Sequence, residues 1–255
     1  MIHIKTPEEI EKMRRPNRIV AETLHCLIAH VEEGITTREL DAMAEACIRE
    51  RGGIPAFKGY RGFPCTLCTS INEEVVHGIP SKRKLRSGDI VGLDLGARVD
   101  GYYGDSAVTV PVGEVSQESW RLLDVTEKAL FMGIAQMKEG NHLGDVSHAI
   151  QSYAEGHGYG VVRVFVGHGI GQALHEDPQV PNFGTAGSGP RLRRGFVLAL
   201  EPMVNAGTHD VRILSDQWTV VTADGKRSAH FEHTVAITDQ GTEILTLRDG
   251  FSASA

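Results

Sequence analysis

Residues 166–178, VGHGIGQALHEDP, decide how the rest of the chain can be interpreted. Two histidines, His168 and His175, lie seven residues apart, and glycines around the first disfavour a helix. An apolar run rich in β-branched residues, 161–166, precedes them. We therefore predict a strand, a turn and a returning strand, closed by a turn at Asp177-Pro178. Glycine lets the backbone approach a metal or substrate closely, so both histidines can point into one space.

Composition and charge exclude several classes of protein. The chain has 255 residues, 41% of them hydrophobic, and a formal net charge of −7 with a pI near 5.9. No basic stripe stands out, and the basic cluster at 82–86 is typical of a solvated loop, so nucleic-acid specificity is not expected. Neither a signal peptide nor a run of 18 apolar residues is found, so we expect no membrane partner and a cytoplasmic location.

Two pairs of helices are predicted from capping residues and helical periodicity. A capping box at Thr6 and another at Thr36 begin the first pair. Pro16 should break or kink the first helix, because proline lacks an N–H and crowds the preceding turn. The second pair is predicted at 116–137 and 143–156.

A hairpin between the helix pairs carries a carboxylate in each strand. Its strands are predicted at 90–96 and 102–110, with Asp94 and Asp105 inside apolar runs. Two neighbouring buried carboxylates repel each other unless a cation lies between them. The hairpin therefore favours a metal site over two unrelated structural acids.

Two further carboxylates occur in the second half of the chain. Residues 195–204 predict one buried strand with Glu201 before a proline. Segments 218–221 and 229–237 predict a last hairpin, with Glu232 in the middle of its second strand.

The order of elements predicts the fold class. Two helices and a β-region with two aspartates are followed by two helices and a β-region with histidine and two glutamates. We predict a single α/β (α+β) catalytic domain of 1–255, with antiparallel-rich sheets flanked by helices. Its two pseudo-two-fold halves, about 1–112 and 113–255, should face each other around a di-metal site.

These carboxylates, together with His168, favour metal-assisted hydrolysis of an amide. Two divalent cations would neutralise the four negative charges, and Asp105 and Glu232 could bridge them. Oxygen-rich ligation with one imidazole suits Mn, Fe, Co or Zn, and a water between the ions becomes hydroxide near neutral pH. His77 and His175 remain free to donate to a substrate. A cluster of unrelated buried acids is disfavoured, because each would need a partner.

The cysteines do not predict a second metal site. Cys65-x-x-Cys68 has no second pair for zinc, since Cys26 and Cys47 lie singly in predicted helices. A redox motif would begin a helix, whereas this one leads into a strand. Structural thiols are the favoured interpretation.

The chain resembles the type I methionine aminopeptidases in motifs that extend nearly from end to end. They are His77-Gly78-Ile79-Pro80, Asp94 and Asp105 eleven residues apart, the stretch 167–178, Glu201-Pro202-Met203 and Glu232-His233-Thr234. The resemblance implies the duplicated pita-bread fold. It also implies removal of the initiator methionine from nascent chains whose second residue is small.

The resemblance assigns a role to each residue of the site. The metal ligands would be Asp94, Asp105, His168, Glu201 and Glu232, with Asp105 and Glu232 bridging. Glu201 would also handle the proton of the nucleophilic water. His77 would contact the scissile amide nitrogen, and His175 the carbonyl oxygen and the developing oxyanion.

A methionine pocket is implied at six more positions: Phe57, Tyr60, Phe63, Cys68, Leu174 and Trp218. A thioether packs well against aromatic edges, although single positions of this kind could equally be core. His77 and His175 would also contact the substrate. Two positions depart from the family, which often has His at Arg61 and Phe at Leu174. Both lie near the entrance.

Partners and rival functions follow from the same resemblance. Nascent polypeptide N-termini are the expected partners, the ribosome is a candidate, and a monomer is expected. One rival is a proline-directed aminopeptidase or creatinase-like enzyme of the same fold. Those relatives usually carry a further amino-terminal domain. The other rival is a metal-free binding module, although all five ligand positions are filled here.

Overall fold

The computed structural model describes residues 1–248, which form helices packed on antiparallel sheets. The helices are α1 (Pro7–Ile28), α2 (Thr37–Glu50), α3 (Gln117–Ile134) and α4 (Leu143–Gly156). α1 packs against α2, and α3 packs against α4. Within this range, no helix has both the length and the apolar character needed to cross a bilayer.

The capping predictions for the first helix pair are confirmed. The backbone N–H of Glu9 donates to the Thr6 hydroxyl at 3.2 Å, and Glu9 accepts from the Thr6 N–H at 2.9 Å. Thr36 and Glu39 form the same reciprocal pair at the start of α2.

Of the predicted break or kink at Pro16, the break is wrong, because α1 continues through the proline to Ile28. The side-chain amide of the buried Asn17, which follows the proline, donates to the carbonyl of Met13 one turn earlier at 2.8 Å. Gly104 lets the α1 backbone come close, since a Cβ there would lie 2.7 Å from the Asn17 nitrogen. Packing of α1 on the sheet therefore outweighs the local cost of about 3 kcal/mol for an internal proline.

The strands are short apart from one long hairpin. They are β1 (Ile54–Pro55), β2 (Leu67–Ile71), β3 (Glu74–Val76), β4 (Ile90–Val99), β5 (Tyr102–Pro111), β6 (Gly160–Val161), β7 (Gly167–Gly169), β8 (Glu176–Val180), β9 (Val197–Leu200), β10 (Met203–Asn205), β11 (Val211–Ile213), β12 (Val220–Thr222), β13 (Ser228–His230), β14 (His233–Thr238) and β15 (Gly241–Ile244). A 3-10 turn covers Tyr60–Gly62. The predicted hairpin is β4 and β5.

Four antiparallel sheets arise from these strands. β4 pairs with β1, β2 and β5, and the order of the largest sheet is β15-β14-β9-β7-β8. The two small sheets are β13-β10-β6 and β11-β12-β3. β5 meets the segment that carries Glu232: the Ser106 hydroxyl donates to the Glu232 carbonyl at 2.6 Å, and Thr234 donates to the Asp105 carbonyl at 2.8 Å.

Two strand predictions in the second half are wrong. The segment predicted as one strand at 195–204 forms β9 and β10, which belong to different sheets, with Glu201 and Pro202 between them. The predicted last hairpin does not exist: β12 pairs with β11 and β3, whereas β13 pairs with β10. Glu232 accordingly lies between β13 and β14 rather than inside a strand.

The histidine stretch folds as predicted in outline but not at its ends. β7 and β8 pair antiparallel around a connecting loop. The run 161–166 is mostly loop, and its Val164 is 71% exposed. Asp177-Pro178 lies inside β8 and does not form the predicted turn.

Candidate functional site

A cleft of about 670 Å³, counted to its open mouth, is the meeting point of both halves of the chain. The structure brings into it every residue that the sequence assigned to the site: Phe57, Tyr60, Phe63, Cys68, His77, Asp94, Asp105, His168, Leu174, His175, Glu201, Trp218 and Glu232. Arg61 also lines it.

Asp94 and Asp105 reach the cleft from the long hairpin. In the register of β4 and β5, Asp94 faces Ala107 and Asp105 faces Gly96. The two aspartates are therefore diagonal neighbours across the strand pair, close enough for their charges to interact.

Ligand atoms from three chain segments converge beside this hairpin. Side-chain ligand atoms of Asp105, His168 and Glu232 lie within 4.8 Å of one another, and all three residues are buried. The Nε2 of His168 lies 3.5 Å from Glu201 Oε1 and 3.9 Å from Asp105 Oδ2. One ion could contact several of these atoms after small side-chain movements.

These converging side chains form the floor of the cleft, which consists of Asp94, Asp105, His168, Glu201 and Glu232. Burial makes the negative charges of the floor unfavourable when no cation is bound. It raises the pKa of Asp94 to about 7. Burial and then the charge of Asp94 raise the pKa of both Asp105 and Glu201 well above their usual range. Burial and then Asp105 do the same to the pKa of Glu232. The carboxylates therefore act as one repelling group.

Unpartnered oxygen atoms show that the floor fits divalent ions. Within residues 1–248, Asp94 Oδ1, Asp105 Oδ1 and Glu232 Oε1 are buried without a hydrogen-bond partner. Buried polar atoms normally have partners, so these oxygens are available as ligands. A set of carboxylates with one imidazole suits first-row divalent ions.

His168 presents the nitrogen that a metal ligand needs. Its Nδ1 lies 2.9 Å from the carbonyl of Gly169, which assigns the Nδ1 proton to that hydrogen bond. Nε2 is left with a lone pair directed at the carboxylates. Burial lowers the pKa of His168 to about 4, so the ring stays neutral.

The loop that carries Leu174 and His175 is fixed by a distant lysine. The Lys5 ammonium donates to Glu176 Oε2 at 2.7 Å, and the Lys5 side chain is only 2% exposed. Glu176 also accepts from the backbone N–H of Ala173 at 3.1 Å. Lys5 was not among the predicted site residues, because no local signal links positions 171 residues apart.

His175 stands at the mouth of the cleft against an aromatic ring. Its ring stacks on Tyr60 at 5.2 Å, and its Nδ1 lies 2.9 Å from the Tyr60 hydroxyl. One side of His175 is open to solvent. Burial of the remaining ring surface lowers the pKa of His175 to about 3, with a smaller contribution from repulsion by His168 when that ring is protonated.

His77 follows β3 in a backbone conformation that non-glycine residues seldom adopt. Its φ is 62°, in the left-handed region. The ring makes edge contacts with Phe165 at 5.7 Å and Trp218 at 6.3 Å, and burial lowers its pKa to about 4. Strained backbone of this kind is common at functional sites. The contact with Phe165 was not predicted.

The rest of the lining, which we call the wall, is largely apolar and comprises Phe57, Tyr60, Phe63, Cys68, Leu174 and Trp218. Phe63 meets Trp218 edge-on at 5.1 Å, and both Phe63 and Leu174 are buried. Burial raises the pKa of Cys68 well above its usual value, so its thiol behaves as a small apolar group. Such a wall can hold an unbranched apolar side chain.

One residue near the floor was overlooked in the sequence. His230 is buried, its Nε2 lies 3.9 Å from Glu201 Oε2, and no residue of 1–248 accepts or donates a hydrogen bond at this nitrogen. Its place two residues before Glu232 is the signal that could have identified it, because alternate residues of extended chain share a face.

All four cysteines are free thiols. Cys26 and Cys47 do not lie singly: their sulfur atoms are 3.6 Å apart across α1 and α2. Their proximity was not predicted, because it depends on the pairing of two helices, which brings together positions that are distant in the sequence.

Comparison with known proteins identifies the family. The chain matches the family model described as Metallopeptidase family M24 over residues 11–239. It is 55% identical over 246 residues to methionine aminopeptidase 1 of Bacillus subtilis, covering 96% of this chain and 99% of that protein. The crystal structure of a methionine aminopeptidase from Thermotoga maritima matches with a TM-score of 0.94 and 48% identity, over 96% of this chain and 99% of that chain.

A prolidase from Pyrococcus furiosus is a weaker match. Its TM-score is 0.77 and its identity 25%, over 96% of this chain but 66% of the prolidase. The predicted α/β fold with antiparallel sheets and the resemblance to methionine aminopeptidases are confirmed. The chain belongs to metallopeptidase family M24.

Proposed function

We propose that this protein is a methionine aminopeptidase that removes the N-terminal methionine from nascent polypeptides with a small second residue. One observation carries the proposal: the apolar wall and the carboxylate–histidine floor line the same cleft. A side chain held by the wall would place its own backbone against the floor. A binding module without metal would have no use for buried, mutually repelling carboxylates.

Asp94, Asp105, His168, Glu201 and Glu232 would hold two divalent ions. Their support is the converging ligand atoms, the unpartnered oxygens and the lone pair of His168. The bridging roles of Asp105 and Glu232 stay predictions. Bound ions would act as Lewis acids and lower the pKa of a water held between them.

The wall would bind the methionine side chain. Burial of an unbranched thioether against aromatic rings contributes about 1.5–3 kcal/mol. Phe57, Tyr60, Phe63, Cys68, Leu174 and Trp218 would provide that surface. His77 would meet the scissile amide nitrogen.

His175 would donate a hydrogen bond to the scissile carbonyl oxygen. If the Tyr60 hydroxyl donates to Nδ1 at 2.9 Å, the ring proton lies on Nε2, which is then free to donate. A positioned neutral donor stabilises the negative charge that develops on this oxygen. Glu201 would take a proton from the attacking water and deliver it to the leaving amine.

Hydrolysis of Met-Ala-Ser tests this proposal and separates its rivals. Chelated protein is titrated with Mn, Fe, Co and Zn, and the assay is repeated with an X-Pro peptide. Methionine release should return with metal and disappear in His175→Ala and Glu201→Ala. His148→Ala, at an exposed histidine of α4, is the matched control. Preference for the X-Pro peptide would favour the prolidase-like rival, and a folded protein inactive with every ion would favour the binding module.

We further propose a cytoplasmic monomer built as one catalytic domain with halves at about 1–112 and 113–255. The hydrogen bonds between β5 and the segment 232–234 support one domain, because they join the two halves directly. Co-sedimentation with ribosomes and the mass in solution would test the ribosome as a partner and the monomeric state.

A further inference from the structure

Arg61 is the one cationic side chain among the residues that line the cleft, all of which the structure describes. It is exposed and belongs to the short turn between two residues of the apolar wall. Its φ of 49° and ψ of 22° lie in the left-handed region, which an arginine adopts at a cost in free energy.

The turn around Arg61 fixes this conformation. The N–H of Gly59 donates to the carbonyl of Phe63 at 2.8 Å, and the N–H of Phe63 donates to the carbonyl of Tyr60 at 2.9 Å. The two wall residues that flank Arg61, Tyr60 and Phe63, are thus held by the same turn. Strained backbone of this kind is often found at functional sites, which makes the Arg61 side chain a candidate for a functional role.

The guanidinium of Arg61 lies over the ring of Tyr60, with Cζ 5.4 Å from the ring centroid. The hydroxyl of that ring is 2.9 Å from His175 Nδ1. Arg61 and His175, the histidine that would contact the scissile carbonyl, therefore both lie against the same tyrosine ring. It pairs with no carboxylate of residues 1–248.

The charge balance of the cleft leaves Arg61 uncompensated. On the function proposed above, two divalent ions balance the four carboxylates of the floor, and the guanidinium then makes the mouth positive. An extended peptide advances about 3.4 Å per residue, so a peptide whose scissile carbonyl lies at His175 would bring its third or fourth residue within reach of a guanidinium on the same tyrosine ring.

We propose that Arg61 makes this enzyme prefer peptides with Asp or Glu at the third or fourth position. A carboxylate is the group that a guanidinium binds best, because two parallel N–H donors match its two oxygens. The preference concerns the peptide beyond the small second residue, so it acts through recognition rather than through the chemical step.

The proposal rests on the proposed function, and its test uses the metal-loaded enzyme with matched peptides. Met-Ala-Asp-Gly-Gly and Met-Ala-Asn-Gly-Gly are compared by kcat/KM, as are Met-Ala-Gly-Asp-Gly and Met-Ala-Gly-Asn-Gly. All have amidated C-termini, so a terminal carboxylate cannot supply the charge. The quantity measured is the Asp/Asn ratio within each enzyme variant.

The ratio should be about two to five in the wild type for at least one peptide pair, as expected for an exposed charge pair. It should fall toward one as NaCl rises from about 50 mM to about 500 mM. Arg61→Gln should give a ratio near one, and Arg61→Lys an intermediate ratio. Arg121→Gln should leave the wild-type ratio unchanged, since Arg121 also stacks on a tyrosine, Tyr159, but lies outside the cleft.

Equal ratios in the wild type and Arg61→Gln, in both peptide pairs, would overturn the proposal while leaving the aminopeptidase function intact. A lost preference in Arg121→Gln would also overturn it, because the effect would then come from overall charge. Absence of methionine release from every peptide would instead overturn the proposed function, and this preference with it.

Discussion

The floor and the wall of the cleft differ in what holds them together. The floor brings together Asp94, Asp105, Glu201 and Glu232, whose charges repel and whose raised pKa values reflect burial. The wall consists of aromatic and aliphatic contacts that stabilise the fold without any ligand, such as Phe63 against Trp218. The floor therefore requires a cation to offset its negative charges, whereas the contacts of the wall are stable without a ligand.

The two regions also come from different parts of the architecture. Asp94, Asp105 and His168 lie in strands, whose hydrogen bonds fix their positions. Phe57 and Trp218 lie in loops. Part of the floor is thus fixed by strand pairing, whereas Glu201 and Glu232 reach it from connections between strands.

The largest effect should come from changing the floor. Glu201→Gln keeps the size of the side chain but removes its ability to carry a proton. At saturating Mn, kcat for Met-Ala-Ser should fall by a factor of about 10²–10⁴, with little change in KM. Steady-state kinetics with metal analysis of the same samples measures this. Near-normal turnover with metal bound would remove Glu201 from the chemistry.

A smaller effect of a different kind should come from changing the wall. Phe63→Ala should lower kcat/KM by about tenfold to hundredfold, because it removes apolar surface that would bury the methionine side chain. The change should appear mainly in KM and leave metal affinity unaltered. Phe131→Ala, which removes a phenyl ring on α3 outside the cleft, is the matched control. Loss of metal by Phe63→Ala would show that floor and wall are not separable.

Tyr60 connects the wall to His175 at the mouth of the cleft, so its hydroxyl sharpens the comparison. Tyr60→Phe keeps the ring of the wall and removes only the hydrogen bond to His175. We expect kcat to fall about fivefold, the equivalent of one hydrogen bond, with KM unchanged. Tyr103→Phe serves as control, since Tyr103 lies outside the cleft. A rise in KM alone would make Tyr60 a wall residue only.

The smallest effect concerns stability as a function of pH. In metal-free protein, the folded pKa of Asp94 is raised from 3.8 to about 7, so the native state holds a proton that the unfolded chain has lost. The contribution of Asp94 to the free energy of unfolding therefore falls as pH rises from about 4 through 7. Because ions replace that proton, Mn should raise Tm more at about pH 8 than at about pH 5.5.

Differential scanning fluorimetry with and without Mn measures these shifts. Arg61→Gln, which leaves the floor unchanged, should show the same pH dependence as the wild type. Equal Mn-induced shifts at both pH values would contradict a floor that exchanges protons for ions.

Local signals in the sequence predicted much of the fold and the site. The capping boxes at Thr6 and Thr36 and the hairpin of β4 and β5 follow from neighbouring residues, and the structure has them. The position of Asp94 and Asp105 within that hairpin was predictable for the same reason. The resemblance to a known family then predicted which residues from the two halves lie together in the cleft.

Long-range pairing could not be predicted in the same way. β12 and β13 are close in sequence, yet β12 pairs with β11 and β3. The hydrogen bond between Tyr60 and His175 and the ion pair of Lys5 with Glu176 join residues more than one hundred positions apart. Tertiary packing alone places these partners together, and it also overrides the helix-breaking tendency of Pro16.

Equilibrium binding of Mn to chelated protein tests most directly whether the floor is a metal centre. Isothermal titration should find two ions per wild-type chain, as expected for a two-metal hydrolytic site. Asp105→Asn, checked by circular dichroism for folding, should weaken binding by at least about tenfold. Folded wild-type protein that binds no Mn, or an Asp105→Asn variant that binds it equally well, would contradict the metal centre proposed here.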